Sequence, residues 1–230
     1  DPFLLSRSVN AEPVRGPAIP TLMAAADSPL LALPLPGGPD DAVRDWLTAL
    51  DGVAPTEGMT QKQLRPWMRK TKNFVSFAVV RHPLARAHDA FRTLLSARGP
   101  QANNLRRILT NQHAVDLDGS GSDAFLGFLK FLKANLNGQS SLPVAREWAS
   151  QSALLAGQAQ TVLAQRIIRE GEAQGELDRL AELAEKPSPV FALPDRDLLT
   201  DISTEEIEDA CVDAYRRDFL AFGFKRWKNA

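Results

Sequence analysis

The chain has 230 residues, of which 44% are hydrophobic and 24% are charged, as in an ordinary globular protein. This composition excludes a disordered chain, a collagen-like repeat and a coiled coil, and no apolar run reaches the roughly 18–20 residues of a membrane-spanning helix. A single cysteine, Cys211, excludes a disulfide framework and a zinc site built on cysteines, and it favours a reducing, cytoplasmic location.

The charge is unevenly distributed along the chain. In total, 27 Lys and Arg against 28 Asp and Glu give a formal net charge of −1. Residues 62–133 carry +9, whereas residues 1–61 and 134–230 carry −5 each. Between residues 62 and 107 the only acidic residue is Asp89. Such a block predicts either a local anion-binding site or a solvated basic face.

The chain begins with a segment that differs in composition from the rest. Residues 1–29 are rich in proline and small residues and lack periodicity, which predicts an extended arm or linker before a domain at residues 30–230. A short apolar strand at 30–35 ends in Pro-Gly-Gly. Residues 40–50 then carry apolar side chains at i, i+3, i+4 and i+7, which predicts an amphipathic helix capped by Asp40.

Strands continue to alternate with helices along the remaining chain. The predicted elements are a basic helix at 61–70, an apolar strand at 73–80, helices at 83–96, 104–111 and 123–137, a strand at 161–168, a helix at 173–184, and a last helix that begins at a capping box on Ser203 and runs to Phe222. Phe125, Phe128 and Phe131 form a predicted core stripe, and Cys211 is expected to be buried. This order predicts an α/β domain with a small, mostly parallel sheet flanked by many helices.

The most specific string in the sequence follows the second strand and reads Val-Val-Arg-His-Pro-Leu-Ala-Arg-Ala-His over residues 79–88. Arg81 at the strand end and Arg86 in the next helix are predicted to converge, and arginine binds phosphate oxygens through paired hydrogen bonds. Free N–H groups at the helix start favour an anion as well. The string therefore predicts a phosphate-binding turn, with two ordinary surface arginines as the alternative.

This string resembles the 3′-phosphate-binding motif of sulfotransferases, in which an apolar strand is followed by Arg-Asp-Pro, then Arg, then Ser. Arg81, Pro83 and Arg86 match the motif. His82 stands where Asp is common, and His88 stands at the Ser position. The resemblance implies that Arg81, Arg86 and His88 bind the 3′-phosphate of the nucleotide.

Further segments resemble the carbohydrate-type sulfotransferases. The matching residues are Trp148 and Gln151 in a Trp-x-x-Gln segment, and Tyr215, Asp218, Phe219, Phe222 and Gly223 in a C-terminal Tyr-x-x-Asp-Phe-x-x-Phe-Gly segment. More narrowly, the chain resembles the second half of bacterial nodulation-type sulfotransferases. The resemblance implies a P-loop-NTPase-like sulfotransferase fold, and as a partner an N-terminal sulfotransferase half of the same longer chain.

The same resemblance implies 3′-phosphoadenosine 5′-phosphosulfate as co-substrate and a carbohydrate hydroxyl as acceptor. No His, Cys, Asp or Glu grouping has metal-ligand spacing and no nucleic-acid-binding motif is present, so we expect neither a metal nor nucleic acid. Gly37 and Gly38 would face the sulfate. The family turn also carries a Lys and a hydroxyl residue, but Leu35 stands at the Lys position, and Pro39 and Asp40 stand at the hydroxyl positions. Because sulfuryl transfer depends on positioned charge, we expect weak activity or none, unless Lys62, Lys70 or Lys72 reaches the turn from elsewhere in the chain.

Three hypotheses follow from the sequence: sulfate transfer, a non-catalytic module of the same fold that binds a partner or an acceptor, and binding of nucleic acid or a polyanionic glycan through residues 62–107. His82 is a candidate for the general base that would activate an acceptor hydroxyl, and a turn-stabilising role is the alternative.

Overall fold

A computed structural model describes residues 22–117, 121–193, 199 and 202–227. The first 21 residues of the predicted arm lie outside this range. The described chain divides into a sheet unit, residues 22–81 and 154–193, and a helical unit, residues 82–153 together with 199 and 202–227.

The sheet has four strands in the order β1-β2-β3-β4. They are β1 (Met23–Ala24), β2 (Leu30–Ala32), β3 (Val75–Val80) and β4 (Arg166–Arg169). β1 pairs with β2 in antiparallel orientation, whereas β2, β3 and β4 are parallel, with Leu30 opposite Val75 and Val80 opposite Arg169. The predicted α/β class with a small, mostly parallel sheet is confirmed.

Both faces of the sheet are covered, which explains why β3 is almost continuously apolar. On one face, β-strand residues pack with α1 (Asp40–Asp51) and α7 (Ala173–Leu183), which follows a short 3-10 turn at Glu170–Glu172. On the other face they pack with α2 (Gln61–Lys70). The predicted apolar stripe of α1 is confirmed, since Val43, Trp46, Leu47 and Leu50 are all buried.

The remaining helices are α3 (Pro83–Ser96), α4 (Pro100–His113), α5 (Ser122–Leu136), α6 (Gln151–Gln158), α8 (Glu205–Ala214) and α9 (Arg216–Phe222). The predicted core stripe of α5 is confirmed, because its three phenylalanines are buried. Among the described residues no helix is both long enough and apolar enough to span a membrane.

Three local predictions differ from the structure. Pro39 is the N-cap of α1, so Asp40 is its first helical residue and not its cap. The predicted strand at 161–168 starts only at Arg166, because the N–H groups of Thr161 and Val162 donate back to the Gln158 carbonyl and form a turn. β1 lies within residues 1–29, which were predicted to be an arm outside the domain; its pairing with β2 shows that Met23 and Ala24 belong to the sheet, and two residues are too few for a periodic signal.

The sequence predicts a single C-terminal helix, but the structure has two, α8 and α9. The N-cap of α8 is Thr204 and not the predicted Ser203, since the Oγ1 of Thr204 accepts from the N–H of Ile207 at 3.3 Å. Ser203 instead donates its hydroxyl to the carboxylate of Glu208. The helix stops at Tyr215, which has a non-helical φ of −109° and separates α8 from α9. Gly223 ends α9 in the left-handed conformation, as its place after the last apolar residue predicts.

Candidate functional site

The turn after β2 is closed on itself. The N–H of Gly38 donates to the carbonyl of Leu35 at 2.6 Å. Gly37 has φ of 75°, which is the left-handed region, and a Cβ on Gly38 would lie 2.7 Å from the Leu35 carbonyl oxygen. Both glycines are therefore required by the tight backbone. Gln158 holds the start of the turn by donating to the carbonyl of Pro34 at 2.8 Å.

The helix that follows this turn begins with negative charge. Asp40 and Asp41 occupy the first turn of α1, and Pro39 contributes no N–H. Arg44, one turn further on, pairs with Asp41 and with Glu57. The electropositive end of α1 therefore already has carboxylates beside it, and these would repel an incoming anion.

Arg81 and Glu170 form an ion pair at the carboxyl edge of the sheet. Because Val80 of β3 lies opposite Arg169 of β4, the next residue of each strand also lies side by side. Arg81 Nε donates to Glu170 Oε2 at 3.2 Å, and the two side chains are only 12% and 3% exposed. A phosphate at Arg81 would have to compete with this carboxylate.

His82 is buried, at 3% exposure, and both ring nitrogens have partners. Nδ1 accepts from the N–H of Leu84 at 3.2 Å, and Nε2 lies 2.8 Å from the carbonyl of Lys225. An acceptor at Nδ1 and a donor at Nε2 define one neutral tautomer. The ring also packs edge-on against Phe219, Phe224 and Trp227. This arrangement favours the turn-stabilising role over that of a general base.

Arg86 lies inside the helical unit at 1% exposure. Its guanidinium donates to the carbonyl of Ala149 and, at 2.8 Å, to the carbonyl of Arg146. His88, on the same helix, is 9% exposed and packs edge-on against Phe125, with ring centroids 5.1 Å apart. Both side chains therefore contribute to the packing of α3.

The segments with the further resemblance meet in the helical unit. The hydroxyl of Tyr215 donates to the carbonyl of Trp148 at 2.9 Å, and the indole N–H of Trp148 donates to Asn135 at 3.0 Å. Asp218 accepts from the N–H of Gln151 at 2.8 Å. These motif residues are thus joined to one another by buried hydrogen bonds.

An open groove of about 570 Å³ runs along the outer side of α3. Its lining includes Asp89, Arg92, Thr93, Leu95 and Ser96. These side chains offer one cation, one carboxylate and two hydroxyls, which is a polar surface that suits sugar hydroxyls. Sequence reasoning did not single out these residues, although Asp89, Arg92 and Ser96 share the polar face of a predicted helix.

Two side chains that pair with candidate residues were not predicted from the sequence. Glu170, the counterion of Arg81, could have been inferred from its place directly after the last strand. Asn135, the acceptor for Trp148, gives no signal in the sequence. Within the part of the chain that the structure describes, no group of His, Cys, Asp and Glu side chains is arranged to hold a metal ion.

No protein-family model, no curated protein and no solved structure matches this chain.

Proposed function

We propose that this chain is a sulfotransferase-like module that binds a partner or a carbohydrate acceptor and does not itself transfer sulfate. Arg86 carries this proposal. Its guanidinium, expected from the sequence to bind a 3′-phosphate, is buried and donates to the carbonyls of Arg146 and Ala149. A phosphate there would displace both hydrogen bonds and leave two carbonyls without a donor, at about 1–3 kcal/mol each.

The turn after β2 supports the same proposal. A phosphosulfate needs several donors at this place. Here the N–H of Gly38 is used within the turn, Pro39 has no N–H, and Asp40 and Asp41 bring negative charge to the helix start. Loss of a single positioned donor already costs an enzyme about 10²–10³ in rate.

Binding of 3′-phosphoadenosine 5′-phosphosulfate, with transfer of its sulfuryl group to a carbohydrate hydroxyl, is the second candidate function. The topology favours it. β2 and β3 are adjacent and parallel, so the Gly37–Gly38 turn and Arg81 lie at one edge of the sheet. Open α/β sheets bind ligands at the carboxyl ends of their strands. In this function Arg81 would exchange Glu170 for a phosphate.

Titration with adenosine 3′,5′-bisphosphate in a calorimeter separates the two functions. If the chain is a module that does not transfer sulfate, we expect no saturable heat of nucleotide binding up to about 1 mM nucleotide, a concentration at which even a weak site would bind appreciably. Saturable binding that falls at least tenfold in Arg81→Ala and not in Arg92→Ala would establish the nucleotide site, and transfer of labelled sulfate from 3′-phosphoadenosine 5′-phosphosulfate to a carbohydrate by the same chain would then overturn the proposal. Arg92 is a suitable control because it is an exposed arginine on α3, the helix that follows Arg81.

The binding role is tested with an array of oligosaccharides in the absence of nucleotide. We expect selective retention of one glycan class. Retention of none, together with failure to bind a co-expressed N-terminal sulfotransferase half, would contradict the module.

A further inference from the structure

The basic block of the sequence contains two contrasting parts in the structure. Arg81 and Arg86 are engaged as described, and Arg106 donates to carbonyls at the end of α3. The second part, on α2 and just after it, faces solvent: Lys62, Arg65, Arg69, Lys70 and Lys72 are all exposed. Within the described ranges none of these five has a carboxylate at ion-pair distance.

Three of these cations form a stripe along α2. An α-helix turns about 100° and rises about 1.5 Å per residue, so Lys62, Arg65 and Arg69 lie on one side, about 4.5 and 6 Å apart along the axis. We call these three residues the α2 stripe. Lys70 and Lys72 extend the positive field at the end of the helix, where the macrodipole is negative and tolerates cations.

The opposite side of α2 fixes the stripe in place. Leu64 is 2% exposed, and Trp67 and Met68 are half-buried in the same core cluster. The N-terminus is held as well, because the side chain of Gln63 accepts from the N–H of Thr60 at 2.9 Å. The helix, which contains Pro66, therefore presents its cations from the side opposite its packed apolar residues.

We propose that the α2 stripe binds a linear polysaccharide that carries sulfate or carboxylate groups. A row of unpaired cations about 5 Å apart complements a chain of regularly repeated anions. The inference rests on the proposed function in one respect, that the ligand is a carbohydrate. It adds the sign of the ligand's charge and the place where the ligand binds.

Two other polyanions fit the same surface less well. A helix that lies in a membrane buries its apolar side in lipid, but the apolar side of α2 is already buried in the protein. Single-stranded nucleic acid is held by aromatic side chains that stack on bases. Trp67 is half-buried and packs on Phe74, with ring centroids 5.4 Å apart, so it offers no stacking platform.

The test is the binding of a fluorescent heparin-derived octasaccharide, followed by anisotropy at several salt concentrations and without nucleotide. The variant is Lys62→Gln/Arg65→Gln/Arg69→Gln. Its charge-matched control is Arg107→Gln/Arg216→Gln/Arg217→Gln, which removes three exposed cations elsewhere. We expect saturable, salt-dependent binding by the unaltered chain. By analogy with counterion release from DNA, the variant should bind at least about tenfold more weakly, with a salt slope lower by about 2–3.

The control should remain within about twofold of the unaltered chain, because its three cations are not part of the α2 stripe and contribute only a screened field. Equal weakening in variant and control, or no binding by the unaltered chain, would overturn the inference. So would an oligothymidylate or an anionic phospholipid vesicle that binds as tightly as the octasaccharide. Adenosine 3′,5′-bisphosphate titrated into the same samples reports separately on the proposed function.

Discussion

The carboxylate of Asp218 accepts a hydrogen bond from the backbone N–H of Gln151 at 2.8 Å and thereby caps α6 from 67 residues further along the chain. The same carboxylate accepts from the N–H of Ser152 at 2.9 Å and from the hydroxyl of Ser150 at 2.6 Å. The first N–H groups of a helix have no partner within it, so a buried acid here satisfies two of them. The segment around Gln151 and the C-terminal segment are thus held together by this cap.

Asp218→Asn should destabilise the helical unit strongly. The side chain is 0% exposed, and the amide would place a donor against backbone donors. Loss of buried, charge-assisted hydrogen bonds of this kind costs about 2–4 kcal/mol in the free energy of unfolding. Urea denaturation followed by circular dichroism measures the change. Asp213→Asn, which removes only an exposed ion pair with Lys133, should shift the midpoint far less, and an equal shift in both variants would contradict the capping role.

Arg86→Ala should lower stability whether or not a nucleotide is present. The buried guanidinium bridges the carbonyls of Arg146 and Ala149, and its removal leaves both groups without that donor. We expect a loss of about 3–5 kcal/mol in the free energy of unfolding. A thermal melt with and without adenosine 3′,5′-bisphosphate measures it. If Arg86→Ala melts like the unaltered protein but loses nucleotide binding, Arg86 is a ligand residue and not a structural one.

Local signals in the sequence located most of the elements. The bounds of α2 and α3 are those predicted, because Pro83 starts one helix and the apolar residues of the other repeat at helical spacing. The partners of the charged residues were not predictable in this way. The pair between Arg81 and Glu170 depends on which strands are neighbours, and the carbonyls bound by Arg86 lie about 60 residues away. A motif that indicates an anion site therefore does not reveal whether the protein itself occupies it.

His82 should exist as the neutral Nε2–H tautomer. Its Nδ1 is committed to the N–H of Leu84, and its Nε2 lies beside the carbonyl of Lys225. Long-range ¹H–¹⁵N NMR spectra distinguish this tautomer, with one acceptor-type and one donor-type ring nitrogen. His113 is the last residue of α4, and its Nε2 lies 3.4 Å from the Oγ of Ser140. Its ring nitrogens provide an internal comparison in the same spectrum. An Nδ1–H tautomer for His82 would contradict the contact with Leu84.

Asp51 should make the sheet unit more stable above about pH 4 than below it. Burial by itself raises the pKa of this carboxyl, but hydrogen bonds from Lys186, Ser28 and the N–H of Asp27 outweigh burial and lower the pKa from 3.8 to about 2. A lowered folded-state pKa stabilises the protein above the unfolded pKa and loses that effect as the pH falls through the folded value.

Asp51→Asn should therefore cost up to about 2 kcal/mol at pH 6, and the difference from the unaltered protein should shrink between pH 4 and pH 2. Urea midpoints measured across that range test the prediction. Asp41→Asn is the control, because its side chain is 95% exposed. If the difference in urea midpoint between Asp51→Asn and the unaltered protein does not change with pH, folding does not preferentially stabilise the ionised form of Asp51.

Cys211 should be unreactive in the native protein. Its side chain is 1% exposed, and burial, followed by the negative charges of Asp218 and Glu208, raises the pKa of the thiol well above its usual value. Because the thiolate is the reactive form, Ellman's reagent should modify Cys211 at least about 100-fold more slowly in buffer than in urea. Ser188→Cys adds a thiol in an exposed loop and should react at once. Rapid native labelling of Cys211 would mean that α8 opens locally at low free-energy cost, and the buried hydrogen bond from Tyr215 to the carbonyl of Trp148 would then be weaker than its geometry indicates.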